Sequence, residues 1–236
     1  MLESRESELL RLFEEGHSIV AIAEKMNVSH STVSLELERL GIRERATNEK
    51  VRAHFESIKH TREFSFCLGL LWGNGTVSGD QFLFRHKEKK WCDYIYELLD
   101  LPSPPFQMQN DKQQWVVTFG MHHPVYKHLL ELDWKGRTEK ERGYPEGDIF
   151  HDEFVRAFVL LHHYLKKKTD GRLHLEIYGS RNILERINAV LHELLGTTLK
   201  KVQKHTQSDV CHILNYQSQR EIPRILEFLK LGMTEK

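Results

Sequence analysis

The 236-residue sequence carries no net charge, since 34 Lys and Arg offset 34 Asp and Glu. Overall charge therefore neither favours nor excludes a polyanionic partner; only its local distribution can. Long apolar runs are missing as well. The longest, FCLGLLWG at 66–73, falls far short of the roughly 20 residues that a membrane-spanning helix needs. The first residues, MLESRESELL, hold charges where a secretory signal would be apolar, which argues against secretion. Cysteine is scarce: Cys67, Cys92 and Cys211 stand far apart without metal-ligand spacing. An odd, scattered set reads as buried, reduced thiols. What is present suffices for a core, with 39% hydrophobic and 29% charged residues, a balance outside the disordered class. The length fits one large domain or two small ones. These features set the expectation of a soluble cytoplasmic protein with no membrane partner.

Residues 1–45 read as a separate helical module. Leu9, Leu10, Leu12 and Phe13 fall at helical spacing, and Gly16 closes the pattern. A second short helix is expected from Ser18 to Met26, with Ile19, Ile22, Ala23 and Met26 on one face. Asn27, which tolerates a left-handed backbone, marks a sharp turn. Ser29 is a good N-cap for a third helix reaching about Leu40, buried through Val33, Leu37 and Leu40. Small Ala23 before the turn lets two helix axes nearly touch, the signature of a helix-turn-helix. SIVAIAEKMNVSHSTVSLELERLGI (18–42) resembles the helix-turn-helix of resolvase-type and transposase-type proteins. A small helical bundle or oligomerisation cap is the alternative.

A DNA-binding motif of this type places its third helix in the major groove. Ser29, His30, Ser31, Thr32 and Ser34 are then the polar candidates for bases or phosphates. Against this, residues 1–41 hold four basic side chains and eight glutamates, a local charge of −4. Phosphate neutralisation supplies most non-specific affinity, so the module alone is expected to bind weakly. Residues 46–63 are expected to form a basic linker helix, and Arg43, Arg45, Lys50 and Arg52 are better placed for backbone contacts; a merely solvated helix is the alternative for that run.

From Phe64 the pattern changes and then repeats. Helix, strand, strand, helix, strand, strand, helix is expected over 64–135 and again over 150–232. The closing helices, HPVYKHLLEL and IPRILEFLKL, each carry a proline at their start, where it pre-sets the first turn. Two such copies argue for a pseudo-twofold α+β domain.

The segment CLGLLWGNG (67–75) resembles the LAGLIDADG motif of homing endonucleases, and FVRAFV (154–159) resembles a much-altered second copy. The resemblance spans about residues 62–231. It implies two motif helices packed along a central axis through small residues, here Gly69, Gly73 and Ala157. It implies two sheets forming a saddle over the DNA major groove. It also implies an acid at the base of each motif helix, binding a divalent metal beside the scissile phosphate. Hard cations need such oxygen ligands, and two-metal hydrolysis needs them paired. In this sequence Asn74 stands where the first metal-binding Asp belongs, Trp72 replaces the family's other common acid, and the second position falls at or near His162. With both carboxylates absent, no metal or other cofactor is expected, magnesium being required only if the protein cuts. Asp80 and Asp170 read as turn residues. The pairs His122-His123 and His162-His163 diverge around a helix and do not make a metal cluster.

Alternate strand residues face the nucleic acid. Gln81, Arg85 and Lys87 belong with that face in the first copy, and Arg172, His174 and Glu176 alternate with core residues in the second. Lys166, Lys167 and Lys168, and then Lys200, Lys201 and Lys204, form basic groups at strand ends, joined by Lys89 and Lys90. They supply the local positive charge that the first module lacks. The expected function is sequence-specific binding of double-stranded DNA by a bacterial or phage transcriptional regulator, nucleoid-associated, on a catalytically degenerate homing-endonuclease scaffold. Regulators pairing such a domain with a helix-turn-helix are a known type to which this parts list is similar. An active endonuclease or nickase is one alternative, and an RNA-binding maturase another. Internal pseudo-symmetry suits a monomer, although a homodimer is also open.

Overall fold

The computed structural model describes residues 5–40, 42–108, 113–136, 142–206 and 208–231. The chain divides into two compact units, Met1–Ala53 and His54–Lys236. The first contains α1 (Arg5–Glu14), α2 (Ile19–Lys25) and α3 (His30–Arg39). Its core is Leu9, Leu12, Ile22, Ala23, Val33 and Leu37, the apolar stripes expected of those helices. Asn27 makes the turn at φ +51°, and the Ser29 hydroxyl accepts the Thr32 N–H at 3.1 Å as an N-cap does. A further helix, α4 (Ile42–Ile58), runs across the division between the units.

The second unit holds the same run of elements twice. The first run is α5 (Arg62–Asn74), β1 (Gly75–Ser78), β2 (Gln81–His86), α6 (Lys89–Leu98), β3 (Phe106–Gln107), β4 (Trp115–Gly120) and α7 (Pro124–Glu131). The second is α8 (His151–His162), β5 (His163–Lys167), β6 (Leu173–Gly179), α9 (Arg181–Leu195), β7 (Gln203–Lys204), β8 (His212–Tyr216) and α10 (Glu221–Phe228). Each run builds one antiparallel sheet, ordered β1-β2-β4-β3 and β5-β6-β8-β7. The identical order is the duplication read from the sequence.

The two runs meet through α5 and α8, which lie side by side. Every residue of α5 from Phe64 to Gly73 is buried, because one face meets α8 and the rest meets its own repeat. Close approach depends on missing side chains. A Cβ on Gly69 would lie 2.4 Å from the Phe154 carbonyl oxygen and 2.8 Å from the Ala157 Cβ. The helices are parallel, with like ends together. At the N-terminal ends Arg62 of α5 pairs with Asp152 and, at 3.0 Å, with Glu153 of α8. Glu153 also holds Arg156, whose guanidinium lies 4.4 Å from the Phe66 ring centroid. At the C-terminal ends Gly73 of α5 faces the His162 ring of α8.

Candidate nucleic-acid interface

Strand register sorts the first sheet into two faces. Phe82 and Phe84 of β2 are fully buried, whereas Gln81, Leu83 and Arg85 alternate with them. Thr76 and Thr118 lie opposite Leu83, and Ser78 lies opposite Gln81, so all share the face turned away from the core. Arg85 is half-buried there, and its Nε has no hydrogen-bond partner. An unsatisfied buried donor of this kind is costly, and an incoming acceptor would relieve it. Lys87 follows the strand end and is exposed. Lys89 and Lys90 are engaged by Asp93 and Glu88.

The second sheet sorts likewise. Leu175, Ile177, Leu214 and Tyr216 are buried; Tyr164, Lys166, His174, Glu176 and Asn215 occupy the other face by register. These polar groups are mutually organised. His174 is hydrogen-bonded to Asn215, and Glu176 accepts from the Tyr178 hydroxyl. Lys167 has the opposite parity to Lys166 on the edge strand, and Lys168 begins the turn. All three lysines are exposed and form no ion pair among the described residues. Lys201 is exposed too. Lys204 pairs with Asp209 at 2.8 Å, both largely exposed, an interaction weak enough to be exchanged for a phosphate.

Lys200 is a correction. Its ammonium lies 2.8 Å from Glu221 and 5.5 Å from the Tyr216 ring, on the core side of the sheet. Glu221 also accepts the Thr198 N–H at 2.5 Å and its hydroxyl at 2.6 Å. Lys200 therefore belongs to a structural cluster rather than to the open face. Burial alone would push the Glu221 carboxyl up, but Lys200 and the two Thr198 donors outweigh it and hold the carboxyl below its ordinary value. A depressed carboxyl stabilises the fold fully above its unfolded pKa of about 4.3, and this contribution is lost as pH falls through the folded value. Glu221→Gln is thus less stable than wild type in urea at pH 7, and the gap closes below about pH 4. A gap unchanged under acid would remove this role.

In the first unit the Ser29 and Thr32 hydroxyls lie 2.8 Å apart, and Ser29 caps α3 by accepting the Thr32 N–H. Both are thus already engaged in local structure, while His30 is exposed. The side chains of Ser31, Ser34, Arg43 and Arg45 lie outside the described residues.

The base of the α5–α8 pair shows what replaced the expected acids. Asn74 and His162 are the last residues of their helices, at matching positions. The His162 ring stacks on Phe158 at 4.3 Å and 14°. Its Nδ1 lies 2.9 Å from the Phe158 carbonyl, which can only accept, so Nδ1 carries a proton. Trp72 donates from its indole to the Gly143 carbonyl at 3.0 Å, anchoring the segment between the repeats. Next along that segment is a residue the sequence reading missed. Arg142 is only 4% exposed and donates to the Trp72 and Gly73 carbonyls at 3.0 and 3.4 Å. In sequence it is one cation in the polar stretch GRTEKERG (136–143), and no periodicity distinguishes it.

A divalent metal does not fit this base. Hard cations want anionic oxygen, whereas the positions hold an amide, a stacked imidazole and a nearby guanidinium. Among the described residues no three His, Cys, Asp or Glu side chains could hold a metal ion. Asp170 is tied to the Arg172 N–H and guanidinium, as a turn residue would be. His123 accepts the Val125 N–H at 3.3 Å as the N-cap of α7, and burial lowers its pKa to about 4.

No family model and no curated protein matches the chain. Solved structures do. The I-LtrWI LAGLIDADG homing endonuclease bound to target DNA matches at 12% identity and a TM-score of 0.51, covering 74% of this chain and 85% of that one. The N-terminal LAGLIDADG domain of DUF199/WhiA matches at 13% and 0.48, covering 80% and 91%. I-DmoI in complex with DNA and Mn matches at 14% and 0.47, covering 74% and 98%. At such identities the likeness establishes the fold alone: a duplicated, LAGLIDADG-like αββαββα saddle.

Proposed function

We propose that this LAGLIDADG-fold chain binds double-stranded DNA sequence-specifically without cutting it, and acts as a transcriptional regulator of bacterial or phage type. The observation that carries the reading is the pair of open sheet faces, with Arg85 on one and Lys166 on the other. Each cation stands at a strand edge or end, where a phosphate backbone following the saddle would pass. Groups that suit base edges share these faces: Gln81 on the first sheet, and Asn215 and the Glu176 carboxylate on the second. The first unit adds a helix-turn-helix, with α3 as its reading helix and the Asn27 turn as its corner. Its acidity makes it an accessory reader rather than the source of affinity. Residues 1–45 and the two repeats then contact one extended site, with the internal duplication serving in place of a dimer. Among the described residues no helix is long and apolar enough to cross a membrane; a chain that binds DNA in this way would act at the nucleoid.

Loss of cutting follows from the base of the helix pair, where neither position offers a carboxylate. A protection footprint of the full chain on genomic fragments, repeated with magnesium on supercoiled plasmid, tests both halves of the proposal. A long protected site with intact plasmid is expected. Magnesium-dependent nicking or cleavage that disappears in Asn74→Ala would make the protein an endonuclease. Structured RNA outcompeting duplex DNA would make it a maturase.

A further inference from the structure

The buried Arg142 has a role that neither the fold nor the DNA-binding surface requires. The helices α5 and α8 run parallel, so their C-terminal ends, each carrying a partial negative charge, lie side by side at Gly73 and His162. Two like helix ends in contact repel, and a cation between them offsets the repulsion. The Arg142 guanidinium lies against the α5 end of this pair, near the Phe158 ring of α8. It donates to the Trp72 and Gly73 carbonyls of α5 and lies 5.7 Å from the centroid of the Phe158 ring on which His162 stacks. Its own backbone carbonyl accepts from the Ser180 hydroxyl at the start of α9. The Trp72 indole holds the adjacent Gly143 carbonyl at 3.0 Å. The cation is thus pinned from both repeats and cannot swing into solvent as a surface arginine does.

We propose that Arg142 is a resident cation that takes the electrostatic place of a divalent ion at the base of the helix pair. It makes DNA binding independent of divalent metal and excludes such metal even when carboxylates are restored. A guanidinium keeps its charge at every accessible pH and matches a carboxylate bidentately. An aspartate introduced at 74 or 162 would therefore close onto Arg142 rather than onto an ion.

The proposal rests on the DNA-binding reading for one of its two consequences only, and the two can be separated. The first test titrates Mn2+ against full-length N74D/H162D and N74D/H162D/R142Q, followed by the electron paramagnetic resonance of free ion. The double variant is expected to leave the Mn2+ signal unchanged, and the triple variant to deplete it. Equal depletion by both overturns the proposal, as does a folded triple variant that binds nothing. If circular dichroism shows the triple variant unfolded, the second test decides. It measures affinity of the wild-type chain for its footprinted duplex in chelator and in millimolar magnesium. Magnesium is expected to leave affinity unchanged or to weaken it slightly by competing for phosphates. A gain of about tenfold or more, equivalent to roughly 1.4 kcal/mol, overturns the proposal. Failure to bind duplex in either buffer refutes the DNA-binding reading instead, and the Mn2+ titration, with the neutral R142M in place of R142Q should the latter be unfolded, then stands alone.

Discussion

Gly69→Ala destabilises the second unit by about 1–3 kcal/mol, although helix propensity alone would favour the alanine by roughly 1 kcal/mol. The sign is decided by what the new methyl meets. Its nearest neighbour, at 2.4 Å, is the backbone oxygen of Phe154, and the next, at 2.8 Å, is the Ala157 Cβ. A backbone oxygen inside a helix cannot rotate away, so α8 as a whole must withdraw from α5. Because α5 is buried throughout from Phe64 to Gly73, withdrawal opens gaps along its length, and packed interiors tolerate such gaps poorly. Gly73→Ala is the internal comparison. Its methyl meets the Cε1 of the His162 ring at 2.4 Å, a side chain that can turn at the cost of its stack and hydrogen bond to Phe158 without moving the α8 backbone, and the expected loss is the smaller of the two. Ala157→Gly in the Gly69→Ala background removes the second contact but not the first, so rescue is partial. Urea unfolding followed by intrinsic tryptophan fluorescence, to which buried Trp72 contributes, measures all three. Equal costs at Gly69 and Gly73 would mean that the helices are not held by backbone approach.

The helix pair was readable in the sequence because its signals are local. Gly69 and Gly73 lie one turn apart on one face, and Ala157 is the small residue of the altered copy. The alternation of Phe82 and Phe84 with Gln81 and Arg85 needs only the period of a strand. The turn at Asn27 and the cap at Ser29 are likewise single-residue signals with a single physical cause. Arg142 was hidden for the opposite reason. Its partners, the Trp72 and Gly73 carbonyls, lie some 70 positions away and are backbone atoms that leave no mark in composition. Lys200 was misplaced because a run of lysines shows charge without showing who neutralises it. Its carboxylate, Glu221, stands 21 positions on at the start of α10 and looks in sequence like an ordinary first-turn acid. Local period assigns a residue to a face; only the long-range fold decides whether its charge is still available there.

That distinction separates the lysines by experiment. Replacing Lys166, Lys167 and Lys168 together by alanine is expected to reduce the salt dependence of DNA binding, d log K/d log[salt], by about 2–3 in magnitude. The accompanying loss of affinity is roughly 10²–10³-fold near 0.1 M salt, since each phosphate contact carries close to a decade there. The loss falls alike on specific and random duplexes, because phosphate contacts carry no sequence information. Folding stability stays within about 0.5 kcal/mol of wild type, as all three side chains are exposed and unpaired with any described carboxylate. Lys200→Ala behaves inversely. It leaves the salt slope unchanged and lowers stability by about 1–3 kcal/mol, because Glu221 is left partly buried without its cation. Within the triplet, Lys166 shares the open face with His174 whereas Lys167 has the opposite parity, so Lys166→Ala alone weakens binding more than Lys167→Ala. An unchanged slope in the triple variant would remove the second sheet from the DNA interface. Affinity would then have to come from Arg85 and Lys87 on the first sheet, and the recognised site would shrink to the half that this sheet covers.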